Sequence, residues 1–193
     1  MPVRRLRILF ALILAASCGA FAQAQHDPAA AIAAQAEAMK AFAAMDGVWR
    51  GPAWTLLPNG EKRNITQTER IGPLLGGSVK VIEGRGYNAD GSVGFNAFGI
   101  ISFNPATKAY TIRSYALGRA GDFSIRPTAD GYQWEIPAGA GATIRYTATI
   151  REGTLREVGD RIAADRPALR IFEMDLKRIG DTSWPSADAV PPK

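Results

Sequence analysis

Histidine and cysteine are almost missing from this chain, with one of each in 193 residues. Cys18 falls inside the apolar N-terminal stretch and His26 follows it closely, so everything from residue 27 onward contains neither. That excludes Ser-His-Asp and Cys-His catalysis, zinc sites built on thiolate or imidazole, and histidine-ligated haem from the folded part, along with any structural disulfide. Carboxylates, arginines, tyrosines and hydroxyls are what remain for chemistry. The glycine-rich run IGPLLGGS, residues 71–78, lacks both a following helical pattern and the Lys-Ser/Thr that a phosphate loop needs. No metal and no cofactor are implied.

Acidic residues are absent from 1–24, where three arginines precede an apolar run and then small residues ending in AFA or AQA. This is the pattern of a secretory signal, too short for a stable membrane span. A periplasmic or secreted protein is expected, cut after Ala22 or Ala24, with a lipid anchor on Cys18 as the alternative. Arg4, Arg5 and Arg7 leave with the signal, so the formal net charge of +5 falls by three to +2. The basic stripe that a nucleic-acid partner requires is therefore lacking. Nothing in the sequence sets an oligomeric state.

What is present begins with Asp27-Pro28 and AAAIAAQAEAMKAFAAM, which predict one helix: Asp27 caps it, Pro28 suits its first turn, and alanine has the best propensity. Ile32, Gln35, Met39 and Phe42 fall near one face. From Val48 the chain changes character. Turn compositions such as Pro58-Asn59-Gly60, Asn104-Pro105-Ala106-Thr107 and Glu152-Gly153 recur every 8–12 residues, the all-β signal. Between them lie about ten strand candidates. Several alternate cleanly: Ile144, Tyr146, Ala148 and Ile150 oppose Thr143, Arg145, Thr147 and Thr149, and Phe172, Met174 and Leu176 oppose Glu173, Asp175 and Lys177. Antiparallel strands with one apolar face and short turns close most simply into an up-and-down barrel, which leaves no exposed edge. The expected organisation is a signal peptide at 1–24, a helix at 25–46, an all-β antiparallel barrel at 47–180 and an extended Pro-rich tail at 181–193, with Trp184 as its anchor.

Four stretches carry a family resemblance: MDGVWRG at the first strand, LLGGSVKVIEGRG at the third, SFNPATKAY at the turn from Phe103 to Tyr110, and the closing FEMDLKRI. Over roughly residues 40–180 the chain resembles the calycin superfamily, and within it a lipocalin-like domain family of unknown function found in exported bacterial proteins. The resemblance implies a barrel holding one small ligand, and it names no substrate. In lipocalins the tryptophan of GxW closes one end of the barrel under a basic residue from the last strand. Trp49 takes that place here as a structural plug, with Arg178 or Arg170 as the cation. Fatty-acid-binding proteins carry an inward arginine on the last strand and a tyrosine two residues on. Arg170 matches the first, whereas Phe172 lacks the hydroxyl of the second.

The expected lining is apolar with a few polar handles. Trp134, Tyr132, Tyr146 and Phe172 supply its aromatics, each equally explicable as core filling. Strand parity puts Arg170 on the face of Phe172 and Met174, suited to an anionic head group. Arg113 interrupts an aromatic-rich strand, and Glu83 shares parity with Val79 and Val81. The expected ligand-binding set is thus Arg170, Phe172, Met174, Trp134, Tyr146 and Arg113, and the expected function is binding of a small hydrophobic or amphipathic molecule in the cell envelope. The alternatives are a lyase, hydratase or isomerase working through a buried carboxylate such as Glu83, or an envelope interaction protein with a filled barrel.

Overall fold

The computed structural model describes residues 27–184. Ten strands follow a single helix: α1 (Pro28–Met39), β1 (Gly47–Leu56), β2 (Lys62–Leu74), β3 (Val79–Tyr87), β4 (Val93–Asn104), β5 (Ala109–Ala116), β6 (Arg119–Thr128), β7 (Gly131–Pro137), β8 (Thr143–Arg151), β9 (Thr154–Ala163) and β10 (Arg166–Gly180). Each strand pairs antiparallel with its sequence neighbours, and β1 pairs with β10 to close the barrel. The expected all-β up-and-down barrel with an N-terminal helix is the observed fold. Local chemistry sets the reversals. Between β8 and β9, Glu152 and Gly153 both hold positive φ, 48° and 69°, as a two-residue turn matched to strand twist demands.

The helix starts where the sequence places it, with the Asp27 carboxylate accepting from the backbone N–H of Ala29 at 3.0 Å and of Ala30 at 3.3 Å. Its last stretch tightens into a 3-10 helix at Lys40–Met45. The apolar stripe is shorter than expected: Met39 and Phe42 are buried, but Ile32 is 52% exposed because the first turns run past the barrel. The far end of the helical segment closes one end of the barrel. Phe42 and Met45 bury there with Trp49, Ile71, Ile101, Leu155 and Leu176. Two polar contacts fix the angle: the Tyr110 hydroxyl donates to the Ala38 carbonyl at 3.1 Å, and Lys80, buried on the inner face, forms an ion pair with Asp46.

Trp49 is 1% exposed and donates its indole N–H to the Met45 carbonyl at 2.9 Å. The expected cation over its ring is not supplied by either arginine. Arg178 stands opposite Trp49 in the β1/β10 register but turns its guanidinium to the Asp46 carbonyl and the Asp181 carboxylate. Arg170 lies toward the other end of β10. Among the described residues the cations over rings are Lys62 on Trp54, Arg70 on Trp184 and Arg113 by Tyr115. Trp184 holds the start of the tail on the outside of β2, where Gly72 leaves room for Thr182 and the indole. The signal-like segment 1–24, Cys18, His26 and residues 185–193 lie outside the described residues.

Candidate functional site

The inner wall carries fully buried side chains chiefly toward the helix end. At the helix end Trp49, Ile71, Ile101, Leu155 and Leu176 are buried, with Ile82, Phe103, Tyr110 and Ile150 half-buried beside them. At the other end Thr55, Ile65, Phe95, Phe123, Trp134, Tyr146 and Phe172 all keep partial exposure. Rings from separate strands join there into a band. Phe123 on β6 lies 6.0 Å from Trp134 on β7, Trp134 stacks on Tyr146 of β8 at 4.5 Å and 15°, and Tyr146 meets Phe172 of β10 edge-on at 6.0 Å. The intervening strand β9 contributes Gly159, where a Cβ would stand 2.9 Å from the Tyr146 ring and 3.1 Å from Phe172 Cβ. The glycine lets the two rings meet across it.

Beneath the band lies a polar layer. Trp134 donates its indole N–H to Glu157 Oε1 at 3.0 Å, and Gln67 donates from Nε2 to Glu69 Oε1 at 2.7 Å. Glu157 pairs in register with Ala148 and with Met174, while Glu69 faces Gly84, whose missing side chain makes its space: a Cβ there would sit 2.8 Å from the carboxylate. Burial pushes the Glu69 carboxyl up to about 8, with Glu157 and Glu83 adding repulsion against the Gln67 hydrogen bond. Glu157 is pushed up by burial to about 7, although hydrogen bonds from Trp134 and Tyr132 pull the other way. Burial and then Glu157 raise both tyrosines, Tyr132 well above its ordinary range and Tyr146 to about 12. Gln67 Oε1 is buried with no hydrogen-bond partner.

Of the residues expected at the site, Trp134, Tyr146, Phe172 and Met174 come together inside the barrel. Three charged ones do not. Arg170 faces outward: β10 pairs Arg170 with Asp160 but Phe172 with Gly159, a β-bulge that spends one extra residue and reverses the parity on which the inward placement rested. Its guanidinium binds the Asp160 carboxylate at 2.6 Å instead. Arg113 is on the outer face with Asp122 at 2.7 Å and the Tyr115 hydroxyl at 2.8 Å. Glu83 is also outside, between Arg70 at 2.8 Å and Arg85 at 2.7 Å. Burial would raise its carboxyl, but the hydrogen bonds from Arg85 and Arg70 outweigh that and lower it. The apparent inward parity with Val81 misled because Val81 is buried on the outer face.

The carboxylates that do point inward, Glu69 and Glu157, were missed. Both carried a signal in parity: Gln67 and Glu69 alternate in phase with Ile71, and Glu157 with Leu155. A separate concavity of about 540 Å³ opens on the outer wall, lined by Arg70, Glu83, Val93, Phe98, Tyr115 and Trp184. Its charged groups are already paired with one another. Among the described residues no group of three or more His, Cys, Asp or Glu is placed to hold a metal, and no helix is long and apolar enough to cross a membrane.

No family model matches the chain, and no curated protein matches it significantly. Among solved structures the barrel is similar to the crystal structure of Rv2717c from M. tuberculosis, at 13% identity, a TM-score of 0.56, and coverage of 74% of this chain and 97% of that one. At that identity the likeness is one of fold.

Proposed function

We propose that this protein is an exported, lipocalin-like barrel that binds a small hydrophobic or amphipathic molecule through its open end. One observation carries the reading: away from the plug of Trp49 and Phe42, the interior holds a half-buried aromatic band of Phe123, Trp134, Tyr146 and Phe172. Aromatic surface left in contact with water at a concave opening is the usual character of a ligand site. The signal-like residues 1–24 support the envelope as the place of work, and the motifs around Trp49 support the lipocalin likeness.

N-phenyl-1-naphthylamine, which fluoresces in apolar surroundings, should brighten with the full mature chain and be displaced by detergents of matching length. Tyr146→Arg, which puts a charge into the band, should abolish the signal while the fold persists by circular dichroism. An unchanged signal in that variant, or none with the parent protein, overturns the reading. The two buried carboxyls favour a second reading, a lyase or isomerase in which Glu157, pushed up to about 7, exchanges a proton with the same class of molecule. Turnover lost in Glu157→Gln with binding retained would distinguish enzyme from carrier.

A further inference from the structure

Resting on the proposed barrel ligand, the further question is which polar end such a molecule carries, and the interior answers differently from the outer wall. The arginines anticipated for an anionic head, Arg170 and Arg113, are turned outward and neutralised by Asp160 and Asp122. Inside, the groups facing the polar layer are acceptors or acids: Glu157, Glu69 and the Gln67 amide oxygen. Gln67 is 2% exposed, and its Oε1 has no hydrogen-bond partner although Nε2 is engaged by Glu69. A buried amide oxygen left unmatched keeps its full desolvation penalty. Only a hydrogen-bond donor relieves it.

We propose that the layer formed by Gln67, Glu69 and Glu157 receives the donor-bearing end of an amphiphile, a primary ammonium whose hydrocarbon tail runs up the Trp134–Tyr146–Phe172 band to the mouth. An ammonium has three donors and no acceptor, which fits an unmatched amide oxygen and two carboxyls. A carboxylate head has only acceptors and would meet like charge there. The glycines opposite the layer keep the space: a Cβ at Gly86 would stand 3.2 Å from Gln67 Oε1, and one at Gly84 2.8 Å from Glu69. Facing this layer are Tyr132 from β7 and Tyr146 from β8, both held neutral by burial. Lys80 lies deeper, occupied by Asp46. Arg63, Arg119 and Arg161 stand at the mouth end of β2, β6 and β9, beyond the aromatic band. The placement dictates the linkage. An ammonium arriving beside protonated carboxyls expels a proton, so its affinity must rise with pH through about 7 and about 8 and then level off.

Octylamine, octanol and octanoate, titrated calorimetrically into the full mature chain at pH 8.5, separate the possibilities. The amine should bind at least tenfold tighter than the acid, with the alcohol between. Its affinity should fall at least tenfold by pH 6, while the alcohol's changes little. Titrations in two buffers of different ionisation enthalpy should show proton release for the amine at pH 7. Glu157→Gln and Glu69→Gln should each erase most of the preference for amine over alcohol, and the second serves if the first does not fold. Equal binding of all three probes, or tighter binding of the acid, overturns the ammonium assignment and leaves the barrel-ligand reading standing. Failure of all three to bind overturns both.

Discussion

Glu69 and Glu157 are 8% and 7% exposed, and no described arginine or lysine is hydrogen-bonded to either. Burial without a counter-charge favours the neutral acid, so their folded values, about 8 and about 7, stand above the ordinary 4.5 of an unfolded glutamate. Between those limits the folded state holds more protons than the unfolded one. Their stabilisation is therefore complete below about pH 4.5 and is lost as pH rises through 7 and 8, at about 1 kcal/mol per pH unit for each group. Urea denaturation from pH 5 to 8.5 should show this decline, flattened in Glu69→Gln, and a stability that climbs over that range contradicts the buried neutral pair. A second residue-scale expectation concerns Gly159. Alanine there drives a Cβ to 2.9 Å from the Tyr146 ring, so Gly159→Ala should cost about 1 to 3 kcal/mol as overpacking does. It should also disturb the near-ultraviolet circular dichroism of the Trp134–Tyr146 stack. An unaltered spectrum would mean that the rings do not need the glycine.

At the scale of elements, the helical segment and β1 act as one closure. Trp49, Phe42 and Met45 are each 1% exposed, and Trp49→Ala should cost about 3 to 5 kcal/mol. Affinity for N-phenyl-1-naphthylamine, measured well below the unfolding midpoint, should change little, since the aromatic band lies at the other end. A stable variant that has lost the probe would place the site at Trp49. The ten strands were legible because turn chemistry and period-2 alternation act locally: β8 begins and ends at Thr143 and Arg151, where its alternation does. The bulge in β10 was not legible. It depends on how two strands count residues against each other, and nothing in ALRIFEM marks the extra one. The inside and outside of β3 were obscured for a related reason. Its outer face is covered by the tail at Thr182 and Trp184, so Val81 is buried although it points away from the barrel interior. Parity distinguishes two faces, and burial names the inner one only when the outer is bare.

For the whole molecule, closure of the sheet brings Glu69 of β2 near Glu157 of β9, residues 88 positions apart on strands that are not neighbours. That proximity is a property of the barrel, which is why composition could exclude histidine and thiol chemistry yet not find the acids. The outer wall, by contrast, neutralises itself through local pairs such as Arg156–Glu173 at 2.6 Å and Arg145–Glu135 at 2.6 Å. Two places are thus set against each other: the half-buried aromatic band within the barrel, and the outer groove beside Phe98, Tyr115 and Trp184. Backbone amide and aromatic resonances followed by NMR during an N-phenyl-1-naphthylamine titration distinguish them most directly. The account predicts saturable shifts at Phe123, Trp134, Tyr146, Gly159 and Phe172, with Phe98 and Tyr115 unmoved. Shifts confined to Val93, Phe98, Tyr115 and Trp184 would contradict it, because the ligand would then sit on the wall and not within the barrel.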